Sequence, residues 1–132
     1  MKPISAKVTK TLQPGTRMKC IDNTGATELE IISVKGYKGV KSRKPRAGVG
    51  NLVVCAVKKG VPKMKHEVVL AVIVRQRKEY GRKTGIRIQF EDNAAVLVNE
   101  KNEVRGSRIK GPIAKEAVER FSTIGKIASM VV

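Results

Sequence analysis

The chain has very little with which to stack. Its 132 residues include no tryptophan, and two tyrosines and two phenylalanines make up the whole 3% aromatic content. Metal ligands are nearly as scarce. Cys20, Cys55 and His66 are too few for a closed zinc site built from cysteine and histidine. The cysteines form no CxxC pair, and each lies in an apolar, strand-like stretch. Buried free thiols, and with them a reducing cytoplasm, are therefore expected. Long apolar runs are missing too. Val68 to Val74 spans seven residues between Glu67 and Arg75, far short of the about twenty that a membrane helix needs. No apolar run accompanies Lys2, Lys7 and Lys10, so no secretory leader is expected. Negative charge is also sparse: 11 acidic residues stand against 28 lysines and arginines, a net charge of +17.

What remains is a foldable chain. Apolar residues make up 41%, which suits a packed core and argues against disorder. The length allows one domain, 1–132, with a barrel over about 6–98 and a C-terminal segment over about 105–132. The segments read as short strands. Val8 to Thr11 can open the first, and Arg17 to Ile21 forms another with Met18 and Cys20 inward. Asp22-Asn23-Thr24-Gly25 turns the chain, Gly25 supplying positive φ. In Ala26 to Lys35, Leu29 and Ile31 alternate with Glu28 and Glu30, and then Ile32 and Val34 take the opposite phase. A β-bulge produces that slip, and bulges help a sheet curl into a barrel. Leu52–Val57, Val68–Val74, Ile86–Phe90 and Ala94–Val98 complete a mostly β, antiparallel reading. After Gly111, Pro112 can start a helix. Ile113, Ala117, Val118 and Phe121 share one helical face, Gly125 follows its end, and the apolar tail from Lys126 to Val132 docks on something.

The charge is concentrated. Lys35 to Arg87 carries +14 of the +17. Its cations are Lys35, Lys38, Lys41, Arg43, Lys44, Arg46, Lys58, Lys59, Lys63, Lys65, Arg75, Arg77, Lys78, Arg82, Lys83 and Arg87. They fall mainly in three expected loops, 35–46, 58–65 and 75–87. Such a surplus repels itself, so a polyanionic partner is expected, bound with steep salt dependence. With so few aromatics, phosphate and 2′-hydroxyl contacts to a folded RNA fit better than stacking along a single strand. Tyr37 and Tyr80 lie within basic loops and could stack; Phe90 and Phe121 read as core. A barrel for single strands, or an architectural DNA binder, is the alternative.

Catalysis finds no support. There is no GxSxG, no P-loop and no metal-binding helix motif. Asp22 belongs to a turn and Asp92 to a corner between strands. No catalytic residue, metal, cofactor or small-molecule substrate is expected.

Several motifs carry a resemblance. Cys20-Ile21-Asp22-Asn23-Thr24-Gly25-Ala26, Ile32-Ser33-Val34-Lys35-Gly36 and Ala47-Gly48-Val49-Gly50 are followed by Ala71-Val72-Ile73-Val74 and, nine residues on, by Thr84-Gly85. Phe90, Asn93 and Val96-Leu97 come next, then Gly106-Ser107-Arg108-Ile109 and Gly111-Pro112-Ile113-Ala114-Lys115-Glu116. Together they resemble the universal family of ribosomal protein fourteen of the large subunit, from about Ala6 to Ser129. Thr84 stands where the family usually has Asp, Asn or Ser; it remains a small polar turn former. Arg75-Gln76-Arg77-Lys78-Glu79-Tyr80 and Phe90-Glu91-Asp92-Asn93 resemble the archaeal and eukaryotic branch, and the short N-terminus points to an archaeal member.

The resemblance implies a small five-stranded β-barrel with a short C-terminal helix. It implies binding to large-subunit rRNA near the subunit interface. It also implies large-subunit protein three and the archaeal twenty-four-e protein as neighbours, and a bridge to small-subunit rRNA. Some relatives lie near the docking site of anti-association factors. The exposed loop Ser42, Arg43, Lys44, Pro45, Arg46, Ala47 is the expected bridge element. Strand edges or the apolar tail would meet neighbouring proteins.

Overall fold

A computed structural model describes residues 2–132. Five strands close into a barrel in the order β1 (Arg17–Cys20), β2 (Ala26–Val34), β3 (Leu52–Gly60), β4 (Val68–Arg75) and β7 (Ala94–Val98). Four of the five pairings are antiparallel, and the seam, Lys19 to Ala94 and Cys20 to Ala95, is parallel. Leu29, Val53, Val57, Ala71 and Leu97 are among the fully buried side chains that fill the interior. The expected bulge in β2 is present. Ile31 pairs with Cys55 and Ser33 with Val54, leaving Ile32 unpaired and half exposed. Gly25 takes φ +104° at the β1–β2 turn.

A second bulge, between Ile73 and Arg75, interrupts the β4–β7 ladder. Its extra residue, Val74, accepts a hydrogen bond from Ala114 N–H and so receives the C-terminal segment on the barrel wall. Both cysteines are buried and free. Burial pushes the Cys55 thiol up to about 12. The Cys20 thiol is raised by burial and by the adjacent Asp22, to whose Oδ1 it donates at 3.1 Å.

Five local readings change. Val8–Thr11 forms no strand; a single bridge joins Leu12 to Ala47. Of Ile86–Phe90, only Arg87–Ile88 is extended. This is β6, which pairs with β5 (Tyr80–Gly81) in a two-stranded ribbon outside the barrel. Pro112 starts no helix. It lies within β8 (Ile109–Ile113), a strand of a two-stranded sheet, where a missing N–H is tolerated.

The single expected helix is two, α1 (Lys115–Arg120) and α2 (Ser122–Ile127). They are broken at Phe121 (φ −126°, ψ 87°), whose ring enters the core. Gly125 lies inside α2 rather than after it. A Cβ there would come within 2.7 Å of Val118 Cγ1, so the glycine is what lets the two helices approach. The apolar tail does dock, on its own chain: β9 (Ala128–Val131) runs parallel to β8.

Candidate nucleic-acid interface

Strand direction sorts the loops. β1, β3 and β7 run one way, β2 and β4 the other. The 35–51 and 76–93 connections and the chain entering β1 therefore share one rim, here the lower. The 21–25 turn and the 61–67 loop occupy the upper rim. Two of the three expected basic segments thus converge, while Lys63 and Lys65 stand at the opposite end, both exposed. Asp22 and Asp92 are likewise at opposite rims and form no carboxylate pair. Asp22 is an anchor: its carboxylate accepts from Leu97 N–H at 2.9 Å and from the Thr24 hydroxyl at 2.6 Å.

The lower rim is held by one buried amide. Gln76 is fully buried. Its Oε1 accepts from Val49 N–H at 2.9 Å, and its Nε2 donates to the carbonyls of Thr9 (3.0 Å) and Lys78 (2.9 Å). A single side chain thereby ties together the N-terminal segment, the foot of the 35–46 loop and the start of the 76–93 loop. Leu12 and Ala47 exchange backbone hydrogen bonds beside it. Ala47 is completely buried, so the loop presents Ser42 to Arg46 and uses Ala47 as its root.

The basic residues fall into two kinds. Among the described residues, Lys35, Lys38, Lys41, Arg43, Lys44 and Arg46 are exposed and none has an acidic partner. Lys83 is also exposed without one, as is Arg77, whose N–H is fixed by Asn93 Oδ1.

Others are paired internally. Lys58 and Lys59 lie in β3 rather than in a loop, 3.4 Å from Glu30 and Glu28 respectively. Arg17 reaches the same two carboxylates from β1, at 3.6 and 3.0 Å. Lys78 and Arg87 flank Glu79 at 3.2 and 3.8 Å. Arg75 is mostly buried. Its Nε lies 2.9 Å from Asp92 Oδ1 at an angle too bent for a hydrogen bond, while Nη2 donates to Oδ2 at 3.2 Å.

Arg82 is the most committed of all. It donates to Glu116 Oε1 at 2.9 Å and to the Val132 carbonyl at 2.7 Å. Tyr80, fully buried and unable to stack on a base, donates to the same Glu116 at 2.7 Å. Burial alone would raise the Glu116 carboxyl; hydrogen bonds from Arg82 and Tyr80 outweigh it and hold the group below its ordinary value. The same surroundings push the Tyr80 hydroxyl well up, burial first and Glu116 second. Arg75, whose Nη1 also donates to the Pro112 carbonyl at 3.4 Å, and Arg82 fasten the C-terminal segment to the barrel.

The structure adds three cations to the lower rim that the charge count by segment did not single out. A groove of about 790 Å³ runs between the N-terminal segment and the 35–46 loop. Its charged lining is Lys7, Lys10, Lys38, Arg43, Arg46 and Arg120, with no carboxylate. Arg120 is held there by the carbonyls of Lys2 (3.2 Å) and Gly50 (3.3 Å) and has no acidic partner within salt-bridge distance. A cation in the last turn of α1 was visible in the sequence; that the turn lands beside the N-terminal segment was not.

The comparisons with known proteins agree with this architecture. Residues 11–132 match the family described as Ribosomal protein L14p/L23e. The chain is 50% identical to the large ribosomal subunit protein uL14 of Halorubrum lacusprofundi. It is 48% identical to the uL14 proteins of Methanocorpusculum labreanum and Haloarcula marismortui. Each alignment covers 132 residues and the full length of both chains. The family consists of ribosomal proteins, structural constituents rather than enzymes. A closed five-stranded barrel, a cation-rich rim and full-length identity near one half converge on one assignment: the chain belongs to the ribosomal protein L14p/L23e family.

Proposed function

We propose that this constituent of the large ribosomal subunit binds large-subunit rRNA through the lower rim of its barrel. The residues that meet phosphates are Lys35, Lys38, Lys41, Arg43, Lys44, Arg46, Arg77 and Lys83. The observation that carries the reading is the run 35–46, six exposed cations with no internal acidic partner, rooted on a barrel by Gln76 and Ala47. Unpaired cations on a fixed frame keep their charge for phosphates and release condensed counterions on binding. A ribosomal seat, cytoplasmic in archaea, follows from the family.

The loop from Ser42 to Arg46 is the bridge element in this reading, meeting small-subunit rRNA. Lys63 and Lys65, at the other rim, serve a separate contact. Large-subunit protein three and the twenty-four-e protein are the neighbours that the family resemblance suggests, and β9 offers an exposed apolar edge (Met130, Val131) to such a chain. An extended single-strand groove is disfavoured, because Tyr37 is the one exposed aromatic among the described residues. Protein-to-RNA crosslinking in intact particles tests the reading. Crosslinks concentrated on 35–46 and 76–87 support it. RNA crosslinks confined to the upper rim, at Lys63 and Lys65, would overturn it.

A further inference from the structure

The groove beside the 35–46 loop is amphipathic as well as cationic. Six cations surround it, yet Ile4, Val8 and Val40 also line it, and Val40 is 53% exposed. A surface that reads phosphates alone gains nothing from aliphatic side chains left in water. Tyr37 lines the same groove, the residue 37% exposed and its hydroxyl 3.5 Å from the Lys44 carbonyl. Tyr80, Phe90 and Phe121 are buried. The molecule thus offers a single aromatic platform, set within a ring of positive charge.

We propose that this groove takes one unpaired nucleotide extruded from a folded RNA, its base resting on Tyr37 and Val40 and its flanking phosphates on Arg43, Arg46 and Arg120. This rests on the RNA-binding reading above and sharpens it: the rim would recognise an unpaired base as well as a backbone. Three features support that occupant. RNA elements with splayed bases are recognised by stacking on an aromatic ring combined with backbone contacts. One platform suits one base, whereas a continuous strand needs a series of them. The volume, about 790 Å³, lies within the roughly 300–1,000 Å³ of small-ligand sites. The groove is also largely preformed, since Gln76 fixes the Thr9 and Val49 sides and Arg120 is held by two backbone carbonyls.

The test uses the full chain and two short RNA hairpins, one carrying a bulged uridine and one fully paired, compared by fluorescence anisotropy at matched salt. The bulged hairpin should bind roughly 5- to 160-fold tighter, the range that stacking one base supplies. Tyr37→Ala combined with Val40→Ser should abolish that preference and leave affinity for the paired hairpin unchanged. Both residues are exposed in a loop, and a thermal melt confirms that the fold is intact. Arg43→Ala combined with Arg46→Ala should weaken both hairpins and flatten the salt dependence. Equal affinity of the wild-type chain for the two hairpins overturns the inference while leaving RNA binding standing. So does a preference that survives Tyr37→Ala and Val40→Ser, or an acidic, leucine-containing peptide whose binding, rather than that of RNA, depends on Tyr37. If neither hairpin binds with salt-dependent affinity, the RNA reading itself fails and the nucleotide site with it.

Discussion

The wall formed by β1, β2 and β3 and the lower rim of the barrel are both rich in lysine and arginine, and they use them in opposite ways. On the wall, Arg17, Lys58 and Lys59 meet Glu28 and Glu30 at 3.0–3.6 Å across neighbouring strands. On the rim, six cations between Lys35 and Arg46 have no such partner. Cross-strand ion pairs hold register and cancel charge. Unpaired loop cations repel one another and leave their charge for a ligand. A count of basic residues treats the two regions alike; pairing separates them into frame and interface.

That separation can be broken at its strongest point first. Glu116→Ala removes the carboxylate on which Tyr80 and Arg82 converge, leaving a largely buried guanidinium without its partner. A loss of about 3–5 kcal/mol is expected in chemical denaturation, with RNA affinity at fixed fraction folded unchanged. The pH dependence has the same origin. Because Glu116 is held below its ordinary value, its contribution is complete above the pKa it would have unfolded. That contribution disappears as pH falls through the lowered, folded value. The wild-type melting temperature should therefore drop in acid more than that of Glu116→Gln.

The rim should behave the other way. Arg43→Glu, Lys44→Glu and Arg46→Glu together should leave stability intact. They should flatten the slope of log affinity against log salt by up to about 2.7, since each lost phosphate contact removes about 0.9 on a duplex. An unchanged slope would remove this loop from the footprint. Gln76→Leu sits between the two cases. It orphans Val49 N–H and two carbonyls, at a cost of about 1–3 kcal/mol, and loosens the rim, so both stability and RNA affinity should fall. The smallest effect is expected on the wall. Glu28→Gln with Glu30→Gln should barely move the melting temperature, yet it releases Arg17, Lys58 and Lys59, and RNA binding should become steeper in salt. A wall variant that binds RNA less well would erase the distinction between the two regions.

Much of this was legible in the residues. The alternation of Leu29 and Ile31 against Glu28 and Glu30, and its slip at Ile32, announced a curled strand. The Asp22–Gly25 turn and the valine-rich β3 and β4 were equally plain, because strand period and turn chemistry are local properties. What escaped depends on distance in the chain. Arg82 looks like a loop cation until Glu116, 34 residues later, folds onto it; Arg75 does the same until Asp92 arrives. Tyr80 sits among cations in sequence and in a fully buried position in space. Pro112 and Gly125 each fit a helix boundary rule, but strand pairing with β9 and the closeness of Val118 decided their roles instead. The groove at Lys7, Lys10 and Arg120 joins the two ends of the chain, which no local window spans.

The parallel seam of the barrel has a consequence for how the chain matures. Lys19 must wait for Ala94, so the cylinder cannot shut until about three-quarters of the polypeptide exists. Until then a ribbon of β1 to β4 lacks β7, the neighbour that closes both its edges. Contacts of such long sequence separation form slowly, and a polyanion that reached the ribbon first would compete with the last strand for its company. Burial of Asp22 against Leu97 N–H bolts the join once it forms, turning a late, slow event into a durable one.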